Sequence, residues 1–132
     1  LCLCRITPDN EKYNVVFAGA KRPVFYTDKN GKIIRLTGSR RGIGGLQYGE
    51  IAFEEKTVNL KKGDMLYLTS DGFTDQNNAI RKNYGTRRFI AVLNRIKHLS
   101  LNEQKKELER ELKEHQENEI QRDDITVMGI RL

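Results

Sequence analysis

Two short acidic segments carry the side chains best suited to chemistry in this sequence. Asp71 follows an apolar stretch typical of a strand, and Gly72 after it permits a sharp turn of the backbone. Asp123 and Asp124 lead directly into the last apolar stretch of the chain. If the two strands are neighbours, the carboxylates of Asp71 and Asp123 face each other and repel unless a cation lies between them. A hard divalent ion such as Mg²⁺ or Mn²⁺ suits such oxygen ligands, and water completes its coordination shell.

The same residue types also occur in ordinary turns, so a purely structural interpretation stays open beside the metal site. An Asp-Gly pair after a strand is common turn chemistry, and an Asp-Asp pair before a strand can form a solvated corner or a backbone cap. Residue types and spacing alone do not choose between these interpretations.

No other group of residues in the sequence competes with the two acidic segments. His98 and His115 lie near predicted helix ends without the ligand spacing of a zinc site, so we expect both at the surface. Cys2 and Cys4 share one face of a predicted strand, where a disulfide would be geometrically poor. We expect them to be small core residues in a reducing compartment. The glycine-rich loop at residues 38–49 lacks the Gly-Lys-Ser/Thr ending of a phosphate-binding loop.

Length and charge limit the classes of function. The chain has 132 residues and a net charge of +6, and its length suits one compact domain with its own core. Its basic residues occur as scattered pairs and not as a stripe interleaved with aromatic residues, so we expect no nucleic-acid partner. No apolar run approaches the roughly 20 residues of a membrane-spanning helix, and no apolar stretch follows a basic start. We therefore expect no membrane contact by this segment.

Alternating apolar residues predict an antiparallel sheet connected by hairpins in the first half of the chain. Pro8, Asp9 and Asn10 predict the first turn, and the Asn30-Gly31 pair predicts a tight hairpin. The expected strands span residues 1–7, 13–17, 24–27, 32–36, 51–60 and 65–69, and a last strand spans 124–132.

Two helices are predicted between the sixth strand and the last one. Apolar residues recur at i, i+3, i+4 and i+7 over about residues 86–99, which indicates one buried helix face. Ser100 and Glu103 have the spacing of a capping box that begins a second helix. That helix has a thin apolar stripe, and we expect its charged face, which includes Glu103, Glu107 and Glu111, to lie in solvent. Strands, two helices and a final strand predict an α+β fold in which an antiparallel pair of helices packs on an antiparallel sheet.

Five segments of the sequence, taken in order, carry a resemblance to a known family. They are Phe-Ala-Gly-Ala-Lys-Arg-Pro at 17–23, Ile-Gly-Gly at 43–45, Leu-Lys-Lys-Gly-Asp-Met-Leu-Tyr-Leu at 60–68, Ser-Asp-Gly-Phe-Thr-Asp-Gln at 70–76 and Asp-Asp-Ile-Thr-Val at 123–127. The chain, over about residues 13–132, resembles bacterial SpoIIE-type (stage II sporulation protein E) serine/threonine phosphatases. These form a branch of the protein phosphatase 2C-like, metal-dependent superfamily.

The resemblance implies a fold, a reaction and site residues. The fold is an αββα phosphatase sandwich, of which this chain would form part. The reaction is hydrolysis of phosphoserine or phosphothreonine by water activated between two Mn²⁺ or Mg²⁺ ions, without a covalent phosphoenzyme. Asp71 and Asp123 match the family's metal ligands, and we assign no catalytic residue beyond them. Asp124 is expected to anchor the start of the last strand, and Asp75 to hold a metal-bound water or the loop.

The sequence departs from the family pattern before residue 17. Family members carry an earlier aspartate there, in an Asp-x-x-Gly-His-Gly-like segment, and its carboxylate bridges both metals. The acidic residues before residue 17 are Asp9 and Glu11, in a predicted turn. We therefore expect residues 1–132 to be the C-terminal part of a single phosphatase domain whose N-terminal segment is missing, with weak or no metal binding and little activity alone. Sheet surface left uncovered would favour a homodimer or strand exchange.

The resemblance also implies a substrate and a compartment. Such domains act on phosphorylated anti-sigma-factor antagonists, so we expect a phosphorylated signalling protein as substrate in the bacterial cytoplasm, with the phosphatase attached to a sensor or receiver domain. The alternative is a degenerate phosphatase-like module that binds a partner without turnover. A third hypothesis, a basic nucleic-acid binder, predicts a steep salt dependence of DNA affinity. A bridging aspartate in the N-terminal part of the parent gene would favour the enzyme over the binding module.

Overall fold

The computed structural model describes residues 1–44 and 52–132. Its elements, in chain order, are β1 (Cys2–Asp9), β2 (Lys12–Gly19), β3 (Val24–Thr27), β4 (Ile33–Leu36), β5 (Glu55–Lys61), β6 (Met65–Thr69), α1 (Gly72–Asp75), α2 (Thr86–Ile96), α3 (Leu101–Gln116) and β7 (Val127–Arg131). These elements confirm the predicted α+β class. The chain divides into a first unit, Leu1–Leu68 with Ile130–Leu132, and a second unit, Thr69–Gly129.

The strands form two sheets and not the single hairpin-connected sheet that the alternation indicated. The first sheet has the order β1-β2-β5, and β2 is antiparallel to both of its neighbours. The second has the order β4-β3-β6-β7, in which β3 is antiparallel to β4 and β6. Hairpins join β1 to β2 and β3 to β4 as predicted, but β5 and β6 pair with strands that are distant in sequence. The alternation of apolar and polar residues determines which face of a strand is buried. Tertiary packing decides which other strand it pairs with.

The core of the first unit is built from alternating residues of its strands. One cluster of buried residues within it consists of Val15, Phe17, Val24, Leu60 and Leu66. Cys2 and Cys4 of β1 are free thiols that pack against this cluster, whereas Leu3 of β1 and the preceding Leu1 are exposed. The prediction that both cysteines are small core-facing residues is confirmed.

The first turn lies later in the chain than predicted. β1 continues through Pro8, which pairs with Tyr13, and the chain reverses only after Asp9, with Asn10 at a φ of 51°. A proline fits here because β1 is an edge strand of its sheet, where a missing N–H group costs little. The β3–β4 hairpin is as predicted, because the carboxylate of Asp28 accepts hydrogen bonds from the main-chain N–H groups of Asn30 and Lys32.

The two long helices of the second unit are antiparallel. Arg88, near the start of α2, contacts His115 at the end of α3, and Arg95, near the end of α2, contacts Glu107. α2 ends at Ile96 and not at the predicted residue 99. After it the chain tightens into a turn that leads to the start of α3.

The predicted capping box begins α3. The hydroxyl of Ser100 accepts from the N–H of Glu103 at 3.3 Å, and the carboxylate of Glu103 accepts from the N–H of Ser100 at 2.9 Å. Two donors that the helix leaves without internal partners are thereby satisfied.

Other parts of the chain also differ from the prediction. The last strand begins at Val127 and not at 124, and a four-residue helix, α1, follows β6 where only a turn was expected. β5 begins at Glu55, so residues 52–54, which the alternation placed in this strand, precede it. Residue 51 and the part of the glycine-rich loop from residue 45 onward lie outside the described residues. None of the helices described here is long and apolar enough to cross a membrane.

Candidate metal centre

Asp71 lies at the junction between β6 and α1. It is half-buried and is the N-cap residue of α1. Its main-chain oxygen accepts hydrogen bonds from the N–H of Asp75 at 2.9 Å and from the hydroxyl of Thr74 at 3.0 Å. A short helical turn thus fixes the backbone that carries the Asp71 carboxylate.

The residue before Asp71 ties this junction to the second acidic segment. The main-chain N–H of Ser70 donates to the oxygen of Thr126 at 3.0 Å. The Ser70 hydroxyl donates to the main-chain oxygen of Asp124 at 2.7 Å and accepts from the N–H of Thr126 at 2.9 Å. The hydroxyl of Thr69 donates to the same Thr126 oxygen at 3.0 Å. Four hydrogen bonds therefore join the two segments.

The residue after Asp71 is a glycine because the other segment approaches its backbone. A Cβ atom placed on Gly72 would lie 2.4 Å from the main-chain oxygen of Asp124 and 2.9 Å from Cγ1 of Ile125. Any side chain at position 72 would push the two segments apart. Asp71 and Asp123 each lie one residue from this closest backbone contact, so the fold brings together the two segments that the sequence singled out.

Asp123 is exposed and sits in a tight local turn. Its carboxylate accepts from the main-chain N–H of Asp124 at 2.8 Å, and its main-chain oxygen accepts from the side-chain amide of Gln121 at 2.9 Å. Asp124 is also exposed, and it meets Ser70 through its main-chain oxygen. This contact agrees with the expected anchoring role of Asp124, which is exerted by the backbone. Asp75 is exposed, and its carboxylate accepts from the hydroxyl of Thr74 at 3.3 Å.

The donor set suits a hard divalent cation as part of its coordination shell. Asp71 and Asp123 offer carboxylate oxygens, and Mg²⁺ is commonly held by one or two carboxylates while water supplies the other ligands. Within residues 1–44 and 52–132, no group of three or more His, Cys, Asp or Glu residues could hold a metal ion. The residues present therefore fit two ligands of a metal centre, and the metal role of Asp71 and Asp123 stays a prediction.

The structure corrects the prediction that His115 lies at the surface. Its side chain is buried, whereas His98 is exposed as expected. Nε2 of His115 lies 3.1 Å from the main-chain oxygen of Gln76, and Nδ1 lies 3.2 Å from Nη1 of Arg88. Because a carbonyl oxygen only accepts and a guanidinium only donates, these contacts assign Nε2 of His115 as the donor to Gln76 and Nδ1 as the acceptor from Arg88.

Glu111 departs from the predicted solvated face of α3. Its carboxylate accepts from the hydroxyl of Tyr84 at 2.9 Å and from the guanidinium groups of Arg88 and Arg95, so it faces α2. Burial raises the pKa of the Tyr84 hydroxyl well above its usual range, and the hydrogen bond to Glu111 raises it further. The spacing of apolar residues does not predict that Glu111 faces α2, because the contacts between the helices at this position are polar.

Gln76 is the residue of this region that sequence reasoning missed most clearly. Its side chain is 1% exposed and bridges the end of α1 to the segment before Asp123. A glutamine after an Asp-Gly segment has no distinctive spacing, and only its burial reveals this role.

Comparisons with known proteins agree with this arrangement. The profile of the family described as Stage II sporulation protein E (SpoIIE) matches residues 1–132. The structure of the SiaA PP2C domain of Pseudomonas aeruginosa superposes with a TM-score of 0.79 at 31% identity, over 92% of this chain and 49% of that one. No curated protein sequence matches the chain.

Two structures of the phosphatase domain of the cell fate determinant SpoIIE from Bacillus subtilis share the fold. A manganese-presoaked one gives a TM-score of 0.57 at 20% identity, over 99% of this chain and 56% of that one. Another structure, which includes a fragment of the regulatory domain, gives a TM-score of 0.62 at 22% identity, over 92% of this chain and 34% of that one. The chain therefore spans about half the length, or less, of the solved structures it resembles.

Proposed function

This chain belongs to the SpoIIE family, and on that premise we propose that it forms part of a metal-dependent protein serine/threonine phosphatase. The family supports a phosphatase-type function, and the finer assignment depends on one observation. The hydrogen bonds of Ser70 and the close approach at Gly72 hold the segments bearing Asp71 and Asp123 together.

The proposed chemistry assigns a role to each of these residues. The carboxylates of Asp71 and Asp123 bind Mn²⁺ or Mg²⁺. Ser70 and Gly72 keep the backbones of these two aspartates at a fixed separation. When bound, such ions supply an activated water and neutralise the negative charge of the phosphoryl oxygens. Because Asp71 is half-exposed and Asp123 is exposed, a phosphorylated side chain on a folded protein can reach them.

We propose a phosphorylated bacterial signalling protein of the anti-sigma-factor antagonist type as the substrate, in the cytoplasm. The net charge of +6 supports this choice, since a basic protein attracts a substrate made more acidic by phosphorylation. The family to which the chain belongs supplies the rest of the argument.

The two-carboxylate site also sets an expectation for this chain alone. In the part of the chain that the structure describes, no third ligand joins the pair. We therefore propose that residues 1–132 bind Mn²⁺ weakly and turn over little substrate by themselves. The same observation favours the second candidate, a phosphatase-like module that binds a partner without turnover.

Mn²⁺ titration followed by NMR tests the proposal, because paramagnetic Mn²⁺ broadens nearby amide signals even when it binds weakly. We expect broadening of the signals of residues 70–72 and 122–124 in the wild type and its loss in Asp71→Asn and Asp123→Asn. Asp9→Asn removes the same charge from an exposed position in the first unit and serves as the matched control.

The outcomes separate the two candidates. Unchanged broadening in Asp71→Asn would contradict the metal site. Turnover of p-nitrophenyl phosphate that requires Mn²⁺ and both aspartates would establish the enzyme and refute the expectation of a weakly active chain. Absence of site-specific broadening in the wild type would leave the binding module as the better account.

A further inference from the structure

The side-chain amide of Gln76 uses both of its polar atoms on main-chain groups. Nε2 donates to the oxygen of Asn77 at 3.1 Å and to the oxygen of Ile120 at 3.2 Å. Oε1 accepts from the N–H of Arg122 at 3.4 Å. A buried side chain of the second unit thus holds the segment that leads into Asp123 at two of its residues.

The backbone of Gln76 is itself fixed, so its side chain extends from a rigid base. The N–H of Gln76 donates to the oxygen of Gly72 at 3.0 Å, which ends α1. Its main-chain oxygen accepts from the N–H of Tyr84 at 2.9 Å and from Nε2 of His115 at 3.1 Å. The backbone of Gln76 therefore connects three parts of the second unit. These are α1, Tyr84 just before α2, and the end of α3 at His115.

Asp123 is consequently held from both sides. The residue before it, Arg122, is bound by Gln76, and the residue after it, Asp124, is bound by Ser70. Ser70 and Gln76 also flank Asp71 in their own segment. With its amide oxygen turned toward Arg122, Asn77 accepts from the guanidinium at 2.8 and 3.2 Å, which adds a further contact on the Gln76 side.

We propose that Gln76 is a positioning residue that sets the backbone of Asp123 relative to Asp71 for metal binding. The effect on metal binding rests on the proposed function, because Asp71 and Asp123 are metal ligands only under that proposal. An amide suits this position because its two ends supply, from one uncharged buried group, a donor for Ile120 and an acceptor for Arg122.

Gln76→Met tests the inference, because methionine has nearly the same shape and lacks both hydrogen-bonding groups. Gln104→Met is a matched control in the same unit. Gln104 is 3% exposed, and its amide donates to the main-chain oxygens of Lys97 and Leu99 at 3.3 and 3.0 Å, away from the candidate site. Both substitutions remove a buried amide, so both should lower stability by a similar amount.

Two readouts separate positioning from stability. Amide hydrogen exchange at Arg122 reports the contact with Gln76 directly and needs no metal, and we expect faster exchange in Gln76→Met only. The Mn²⁺ concentration for half-maximal broadening at Asp123 should rise about tenfold or more in Gln76→Met, as for other residues that orient metal ligands, and stay unchanged in Gln104→Met.

Each outcome decides the inference. Unchanged exchange at Arg122 in Gln76→Met, or an equal loss of Mn²⁺ affinity in both variants, would overturn it. If the wild type shows no site-specific Mn²⁺ binding, the proposed function fails. In that case the Arg122 exchange rates alone decide whether Gln76 fixes this segment.

Discussion

The hydroxyl of Ser70 donates a hydrogen bond of 2.7 Å to the main-chain oxygen of Asp124, across 54 positions of sequence. The same hydroxyl accepts from the N–H of Thr126, so one small side chain bridges the ends of both acidic segments. Asp71 and Asp123 each lie one residue from a bridged position, so the bridge fixes the backbone beside both of the predicted metal ligands.

Replacing Ser70 by alanine should weaken the junction. The variant loses the donor to Asp124 and the acceptor for Thr126, and two hydrogen bonds of this kind contribute about 1–2 kcal/mol together. We expect a lower free energy of unfolding by urea denaturation and weaker Mn²⁺ broadening at Asp71. Ser70→Thr keeps the hydroxyl, so it should retain most of the free energy of unfolding and most of the Mn²⁺ broadening. Equal Mn²⁺ broadening in the alanine variant and the wild type would show that the bridge does not set the site.

Adding a single methyl group at Gly72 should separate the two segments. Its Cβ would lie 2.4 Å from the oxygen of Asp124, so the backbone must shift, at a cost of about 1–3 kcal/mol. We expect Gly72→Ala to lose stability and site-specific Mn²⁺ broadening together. Gly42→Ala is the control, because a Cβ atom there would lie 3.7 Å from its nearest neighbour, Cε of Lys21, which is an ordinary contact distance. A Gly72→Ala variant as stable as Gly42→Ala would contradict the close approach.

The capping box of α3 should make stability depend on pH. Hydrogen bonds from the hydroxyl and the N–H of Ser100 hold the pKa of the Glu103 carboxyl below its ordinary value of 4.5. Because the folded-state pKa is the lower one, this stabilisation is complete above pH 4.5 and is lost as the pH falls through the folded-state value. Thermal unfolding should therefore show the largest deficit of Ser100→Ala near neutral pH and a smaller one in acid.

Ser100→Thr keeps the capping hydroxyl and should follow the wild type across this pH range. A deficit of Ser100→Ala that stays constant from neutral to acid pH would show that Glu103 does not take part in the cap.

Features that depend on residues close in sequence were accessible without the structure. The capping box joins residues three positions apart, and the β3–β4 hairpin depends on Asp28 binding N–H groups two and four positions later. The two acidic segments were recognisable because one follows a predicted strand directly and the other precedes one directly. These interactions form within a turn or two of chain, so residue type and spacing are sufficient to predict them.

The tertiary structure alone decided which polar residues are buried and what they hold. Gln76 and Glu111 carry no distinctive pattern, and His115 was expected at the surface. Yet His115 meets Gln76 across 39 positions, and Gln76 meets Arg122 across 46. A polar side chain can be buried only where folding brings it complementary donors and acceptors, and the sequence around it contains no record of such distant partners. Residue type and spacing are therefore enough to locate the two acidic segments and the strands beside them, whereas packing determines how those segments are held together.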